Sequence, residues 1–368
     1  MDCFVACRPG LEPLLVDELG ELAIPALQRV PGGVAFVGDE VHLARANLEL
    51  GVASHVLVRV GRFEARHFSE LVRRAKGLPW ERFVPRDAPL ELRVTSKRSR
   101  LFHTGAIAQR VVEAIDAALG GARPTTGEPL PIVVRLERDL CELSVDTSGA
   151  PLHRRGWRLQ TAKAPLREDL AWALLRASGW DRNSPLLDPM MGSGTLVIEA
   201  AAMARGLAPG RDRTFALERL PMFDAAILAS VRAAARERIR ERLPFAIHGR
   251  DAHPGALAAA RSNAERAGVL DDLQLARADV RREALPSVAT VVCNPPYGQR
   301  IGGAEVVALY RALGAAIHEI SPPPRVALVT SERALASACG LPLRPALLTD
   351  HGGTKVEFYV GGGPAAGD

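Results

Sequence analysis

The chain has 368 residues, of which 47% are hydrophobic and 24% charged, so it can bury a substantial core and is not disordered. This length corresponds to two or three domains. No apolar run reaches the roughly 18 residues of a membrane-spanning helix, which excludes a transmembrane protein. The N-terminal segment has an acidic second residue and no long apolar stretch, so we expect no secretory signal.

Five cysteines form no CxxC pair and no Cys/His cluster with the spacing of a zinc site. This pattern disfavours a disulfide scaffold, an iron–sulfur cluster and a structural zinc site. We therefore expect a protein of the reducing cytoplasm that needs no metal.

The formal net charge of +5 is unevenly distributed, because residues 59–110 carry +8 and the remainder carries −3. Lys97, Arg98 and Arg100 lie between a predicted strand (LELRVTS) and a predicted helix. Basic side chains beside the N–H groups of a helix start can bind phosphates, which favours a nucleic-acid surface. The alternative is a solvated face of an arginine-rich protein, since 43 of the 47 basic residues are Arg.

The first 150 residues alternate short strands and helices, which predicts small α+β units with antiparallel sheets. Residues 132–149 predict a hairpin that turns at 137–139. Periodicity predicts strands at 2–7, 32–38, 54–65 and 90–96 and helices at 9–22, 42–50, 67–77 and 102–119.

From residue 185 onward, the apolar strands PLLDPM, FAIHGRD, VATVVCN and RVALVT alternate with helices. This pattern predicts a mostly parallel, doubly wound sheet. A long charged helix is expected at 224–243, between the first two strands. The preceding residues 151–169 are predicted to be a linker that continues into a helix near Arg167.

The strongest local motif is LLDPMMGSGTLVIEAA, residues 186–201. A strand ends at Asp188, a turn with Gly192 and Gly194 follows, and a helix begins at once. Glycines let the backbone approach a ligand at a strand end, but the spacing matches neither a dinucleotide fingerprint nor a P-loop. An acid before the glycines disfavours phosphate and suits a cationic amino-acid group, which indicates S-adenosylmethionine.

Two later acids fall where that cofactor would need them. Asp251 ends the next strand and can accept hydrogen bonds from both ribose hydroxyls. Asp279 ends the strand after it and can accept one from the adenine amine. Either acid alone would be interpreted as a surface or capping group, but their order after the glycine turn favours the cofactor site.

The motif VVCNPPYGQR, residues 291–300, follows the fourth strand. Asn294 and the carbonyl of Pro295 can accept the two hydrogens of an exocyclic amine, and Tyr297 can stack on a flat base. The prolines, including Pro296, restrict the loop, so the motif predicts positioning of an amine for methyl transfer. A nucleophilic role for Cys293 is the alternative; its apolar surroundings favour a buried strand residue instead.

These motifs resemble those of the class I S-adenosylmethionine-dependent RNA methyltransferases that modify guanine at N2. The N-terminal half is similar to their THUMP-containing branch, through CRPGLEPLLVDEL, GGVAFVG, SRLFHTGAIAQRVVEAI, LSVDTSGAPLHRRGWR and APLRED. Within this branch, the chain resembles the N-terminal module of the bifunctional 23S rRNA guanine-N2 methyltransferases. It departs from the family at 350–360, which lacks the expected Asn-Gly turn.

The resemblance implies an α/β fold: a Rossmann-like class I methyltransferase domain preceded by a ferredoxin-like plus THUMP α+β region that binds RNA. The implied limits are 1–58 for the ferredoxin-like domain, 59–152 for THUMP, 153–165 for a linker and 166–362 for the methyltransferase domain.

The resemblance also assigns roles to residues. Catalysis would involve Asn294, Pro295, Pro296 and Tyr297. S-adenosylmethionine would contact Pro165, Arg167, Asp188, Pro189, Met190, Gly192, Ser193, Gly194, Thr195, Asp251, Ala252, Asp279, Val280 and Asn294. RNA would contact Arg93, Lys97, Arg98, Arg100, His103, Arg154 and Arg155.

The sequence therefore predicts an enzyme that methylates the N2 amine of a guanine in structured RNA, with ribosomal RNA favoured over transfer RNA. An adenine-N6 methyltransferase is the second hypothesis, because the NPPY motif suits that amine equally. A non-catalytic RNA-binding protein that kept the fold is the third. The oligomeric state stays open.

Overall fold

The computed structural model describes residues 1–159, 166–297 and 303–363. Its N-terminal half contains one seven-stranded sheet in the order β2-β3-β1-β4-β7-β6-β5. The strands are β1 (Asp2–Cys7), β2 (Ala26–Val30), β3 (Gly33–Val37), β4 (Ala53–Glu64), β5 (Leu90–Lys97), β6 (Leu130–Glu137) and β7 (Leu140–Asp146). The helices are α1 (Glu12–Glu21), α2 (Glu40–Glu49), α3 (Phe68–Lys76) and α4 (Thr104–Leu119).

Strand β4 joins the two parts of this sheet. Its first half pairs with β1 and its second half pairs with β7, both antiparallel. With 12 residues it is long enough to serve both neighbours. The predicted limit between residues 58 and 59 falls within this strand, so the two N-terminal units share one continuous sheet.

The strands and helices predicted for this half are confirmed to within a few residues. Strand β2 was not predicted, because it is an edge strand whose Ala26, Gln28 and Arg29 are exposed and show no apolar alternation. The expectation of antiparallel sheets is wrong for β5 and β6, which pair in parallel. Helix α4 is the crossover that this parallel pairing requires.

The second sheet has the order β10-β9-β8-β11-β12-β14-β13. Its first five strands are parallel and its last two form an antiparallel hairpin. The strands are β8 (Leu186–Asp188), β9 (Ile247–Asp251), β10 (Leu273–Arg277), β11 (Thr290–Cys293), β12 (Arg325–Thr330), β13 (Leu343–His351) and β14 (Thr354–Gly362). The helices are α5 (Glu168–Ala177), α6 (Thr195–Arg205), α7 (Ala225–Glu237), α8 (Pro254–Arg266), α9 (Gly303–His318) and α10 (Arg333–Ala338).

This arrangement confirms the predicted doubly wound sheet. Strand β8 is central, and its Leu186 and Leu187 are fully buried, as a strand covered on both faces must be. Helix α7 ends at Glu237, earlier than predicted, and the hairpin β13–β14 was not predicted as strands. Among the described residues, no helix is both long and apolar enough to cross a membrane.

A buried carboxyl group joins the two halves. Glu18 of α1 is only 4% exposed, and it accepts hydrogen bonds from the backbone N–H groups of Gly51 and Val52 and from the indole N–H of Trp172 on α5. A Cβ atom at Gly51 would lie about 2.1 Å from the Trp172 ring, so only glycine allows this close packing. The contact couples the N-terminal sheet to the second domain.

We predict that E18A lowers the free energy of unfolding by about 3 kcal/mol, because it leaves buried N–H donors without an acceptor. E18Q, which keeps one acceptor oxygen, should lower it less. Chemical denaturation measures both. The matched control is E21A on the same helix, which removes an ion pair between the half-exposed Glu21 and Arg176 and should lower stability less than E18A, because the Glu21 carboxylate faces solvent. Equal effects of E18A and E21A would contradict the prediction.

Candidate active site

The order of the parallel strands reverses at the centre of the second sheet. The chain passes from β8 to β9 and β10 on one side and then to β11 on the other side of β8. In open α/β sheets, the crevice outside the carboxyl ends of the strands at such a point is the usual ligand site. Asp188 ends β8, Asp251 ends β9, and Asn294 directly follows β11. The fold therefore brings three of the predicted site residues to one edge.

Asp188 is the most buried of these groups, at 1% exposure. Its Oδ1 accepts a hydrogen bond from the backbone N–H of Met190 at 3.0 Å. Burial, with a smaller contribution from the negative charge of Asp251, raises the pKa of this carboxyl to about 8. A cation placed next to Asp188 would favour the ionised form, so this group is suited to a positively charged ligand.

The glycine turn after β8 is held in place by its neighbours. Gly192 and Gly194 have φ angles of +55° and +86°, which side chains larger than glycine rarely adopt. The N–H of Gly192 donates to Asp251 Oδ2 at 3.0 Å. The hydroxyl of Ser193 is buried and has no hydrogen-bond partner within the described ranges. A buried polar atom of this kind normally has a ligand or water as its partner.

The two predicted acids differ in their surroundings. Asp251 Oδ1 accepts from the N–H of His253 at 2.8 Å, and the residue is half-buried at the site edge. Asp279 lies two residues beyond β10, and its carboxylate binds the guanidinium of Arg281 at 2.8–3.2 Å. These hydrogen bonds lower the pKa of Asp279 to about 2, so it stays ionised. Next to these acids, Val280 is buried and Ala252 is exposed.

Asn294 directly follows β11, on the other side of β8 from Asp251. Its Oδ1 is buried and has no hydrogen-bond partner in the part of the chain that the structure describes. The next residue, Pro295, is buried, and Pro296 is half-buried. Cys293 is 1% exposed and its pKa is raised well above 9 by burial, so it stays a thiol, consistent with a strand residue rather than a nucleophile.

The structure adds His351 to the site, a residue that was not predicted. Its Nδ1 lies 2.9 Å from the hydroxyl of Tyr297, which is itself buried at 4% exposure. His351 ends β13, and its neighbour Asp350 binds Arg8 of the N-terminal half at 3.1 Å. The sequence gives no signal for this contact, because it joins residues 54 positions apart through the unpredicted hairpin.

The remaining predicted cofactor residues lie before α5, in the turn after β8 and at the start of α6, or outside the described residues. Arg167 immediately precedes α5 and binds the buried carboxylate of Asp169 at 2.7 Å and His153 at 2.9 Å. Pro165 lies outside the described residues, as do the last part of the predicted linker and residues 298–300 of the NPPY motif. Pro189, Met190 and Thr195 belong to the turn and the start of α6.

The predicted RNA contacts divide into exposed side chains and side chains that are paired with acids or buried. Arg98 and Arg100 are exposed, as are Lys97, His103 and Arg154. Arg93 instead pairs with Glu91 and Asp146 at 3.2–3.3 Å.

Arg155 corrects one prediction. It is 3% exposed, and its guanidinium donates to the carbonyls of Leu152 and Gly51 and lies 3.7 Å from Glu199. Arg155 is therefore a structural residue between the two halves, and the prediction that it contacts RNA is wrong.

The site fits S-adenosylmethionine. Asp188 suits the ammonium group, Asp251 offers a carboxylate at the end of the neighbouring strand, and Ser193 supplies a buried hydroxyl with an open bonding position. No group of three or more His, Cys, Asp or Glu in the described ranges is arranged to hold a metal ion.

Three family models match the chain. Residues 155–342 match the "RMKL-like, methyltransferase domain", residues 2–57 the "RlmL ferredoxin-like domain", and residues 65–146 the "THUMP domain". These matches confirm the kinds of domain that the sequence predicted.

Two relatives differ in how much of their own length is matched. The chain is 31% identical to "Putative RNA methyltransferase slr0064" of Synechocystis sp., covering 97% of this chain and 96% of the relative. It is 36% identical to "Ribosomal RNA large subunit methyltransferase K/L" of Methylococcus capsulatus, covering 92% of this chain. The chain spans about half of that second protein, 48%.

Two solved structures share the fold over nearly the whole chain. SMU.472, described as complexed with SAH, has a TM-score of 0.91 and 28% identity, covering 100% of this chain and 99% of the other. A "predicted N6-adenine-specific DNA methylase" from Listeria monocytogenes has a TM-score of 0.87 and 31% identity, covering 97% and 95%. Together with the domain matches and the site geometry, these likenesses show that the chain belongs to the RMKL-like family of S-adenosylmethionine-dependent RNA methyltransferases.

Proposed function

We propose that the protein transfers a methyl group from S-adenosylmethionine to the exocyclic N2 amine of a guanine in large-subunit ribosomal RNA. The observation that carries the proposal is the buried, unpartnered Oδ1 of Asn294 beside Pro295, at the same sheet edge as Asp188. The relatives named as ribosomal RNA large subunit methyltransferases support ribosomal RNA over transfer RNA.

In this proposal each acid binds one part of the cofactor. Asp188 receives the ammonium group, Asp251 the two ribose hydroxyls, and Asp279 the adenine amine. The other proposed cofactor contacts are Pro165, Arg167, Pro189, Met190, Gly192, Ser193, Gly194, Thr195, Ala252, Val280 and Asn294.

The chemistry needs orientation more than a strong base. Bound S-adenosylmethionine supplies an electrophilic methyl group on a good leaving group. Asn294 Oδ1 and the Pro295 carbonyl accept the two amine hydrogens, which directs the nitrogen lone pair toward that methyl group. Tyr297, whose hydroxyl contacts His351, lies against the face of the base. Such positioning supplies a large part of the rate acceleration for a bimolecular transfer.

The RNA must present its guanine outside the helical stack. The deep groove of A-form RNA hides the base edges, so the enzyme binds backbone and unpaired nucleotides instead. Extruding the base costs about a few kcal/mol, and phosphate contacts from the basic segment 59–110 offset this cost. Lys97, Arg98 and Arg100 are the proposed phosphate contacts. Further proposed RNA contacts are Arg93 and His103, which are close to them in sequence, and Arg154 in the predicted linker.

Adenine-N6 methylation is the second candidate, favoured by the NPPY motif and by the description of the Listeria structure. Incubation of RNA and DNA with isotopically labelled cofactor, followed by nucleoside mass spectrometry, separates the two candidates. The proposal expects labelled N2-methylguanosine from RNA. Labelled N6-methyladenosine as the main product would contradict it.

We predict that N294A lowers kcat by at least about 100-fold, because the amine loses one of its two orienting acceptors. The dissociation constant of the cofactor, measured by calorimetry, should change by less than about 3-fold, since the three acids remain. N183A, which changes an exposed asparagine near the opposite ends of the strands, is the control and should keep full activity. Methylation by N294A at the wild-type rate would contradict the mechanism.

Cofactor binding should also release a proton from Asp188. Because burial raises the pKa of the free protein's Asp188 to about 8, this group is protonated at pH 6.5 and ionises when the ammonium group binds. Affinity should therefore fall as the pH is lowered below 8. Calorimetry at pH 6.5 in buffers of different ionisation enthalpy measures the number of protons released per cofactor bound. Wild type should release about one proton more than D188N. Equal proton release by both proteins would refute this role.

Neutralising the exposed cations should weaken RNA binding in a salt-dependent way. For R98A/R100A we predict a slope of log K against log salt that is shallower by about 1.4–1.8, with unchanged cofactor affinity. The matched control is R110A, because Arg110 lies in the same basic segment but pairs with Glu113 at 2.7 Å. An unchanged slope in the double variant would place the RNA elsewhere.

A further inference from the structure

The loop between β5 and α4 is fixed to its surroundings. Leu101 is buried, and its carbonyl accepts from the Ser96 hydroxyl at 2.6 Å. The N–H of Arg100 donates to Asp139 Oδ1 at 2.7 Å, and the N–H of Asp139 donates to the Ser99 hydroxyl at 3.0 Å. These bonds attach the loop to the β6–β7 hairpin, so its outward side chains project from a rigid base.

Phe102 projects from this loop and is 65% exposed. In the described ranges it is the one aromatic side chain among the large hydrophobic residues that are strongly exposed. Its ring centroid lies 4.1 Å from that of His103, with an angle of 39° between the planes. A single exposed apolar side chain is common, so exposure alone does not define a site.

The charges around Phe102 distinguish it from an ordinary exposed residue. Lys97 at the end of β5 and Arg98 and Arg100 on the loop are exposed, and none forms an ion pair with any residue that the structure describes. Several other cations of this half are paired, as Arg135 is with Glu137 at 2.6 Å. An aromatic ring flanked by unpaired cations matches the chemistry of a nucleotide, which has a flat base and an anionic phosphate.

We propose that Phe102, supported by His103, stacks on one unpaired base of the RNA while the three cations bind the adjacent phosphates. The proposal rests on the proposed function only in taking RNA as the ligand. Inside a helix the neighbouring bases cover both faces of each base, so an unpaired base offers the accessible face that this stacking needs. Tyr297 is buried and 195 residues further along the chain, so this is a second aromatic contact, outside the active site.

The test compares two RNA hairpins with the same loop and equal phosphate number, one with a four-nucleotide unpaired tail and one with a blunt paired end, by fluorescence anisotropy at fixed salt. Wild type should bind the tailed hairpin about 10-fold more tightly, and F102A should remove most of that preference. F102Y and F102W should restore it, whereas F102L should not. V41A, which shortens another exposed apolar side chain, is the matched control.

Three outcomes would overturn the inference. F102A could bind the tailed hairpin as tightly as wild type, F102L could restore the preference as fully as F102Y, or F102A could weaken both hairpins equally. Thermal unfolding verifies that each variant is folded. Because the readout is RNA binding, it is independent of which base is methylated: a product other than N2-methylguanosine would refute the proposed function and leave this test valid.

Discussion

Asp188 carries a carboxyl group that is buried at the carboxyl end of the central strand β8, where the order of the parallel strands reverses. Ionising a carboxyl group in such a place is unfavourable without a nearby cation, and burial raises its pKa to about 8. The same reversal brings Asp251 to one side of Asp188 and Asn294 to the other. One topological constraint thus places the acidic groups and the proposed amine-binding residues next to each other.

The second constraint is the contact between the N-terminal half, which contains the THUMP domain, and this site. Glu18 and Trp172 join the halves through buried hydrogen bonds, and the ion pair between Arg8 and Asp350 joins the N-terminal half to the hairpin that carries His351. His351 in turn contacts Tyr297, which lies three residues after Asn294 in the chain. These contacts set the span between the loop at 97–103 and Asn294, and under the proposed function an RNA substrate has to match that span.

The sequence predicted the parts of the fold that local patterns encode. Leu186 and Leu187 mark a fully buried strand, and the glycine turn after Asp188 marks its end, so the sheet and its edge could be inferred. Strand β2 could not, because exposed residues such as Gln28 and Arg29 show no alternation. Arg155 was wrongly predicted to contact RNA, because the sequence does not show whether an arginine is buried or exposed. The contact of Tyr297 with His351 depends on tertiary packing that no local pattern contains.

The claim that the enzyme modifies guanine in large-subunit ribosomal RNA is tested most directly by mapping modified nucleotides in a strain that lacks the gene. We predict that 23S rRNA from this strain loses N2-methylguanosine at a single position and that expression of the wild-type protein restores it. The account would be contradicted if N2-methylguanosine in 23S rRNA were unchanged in this strain and the missing modification were instead one in transfer RNA or an N6-methyladenosine.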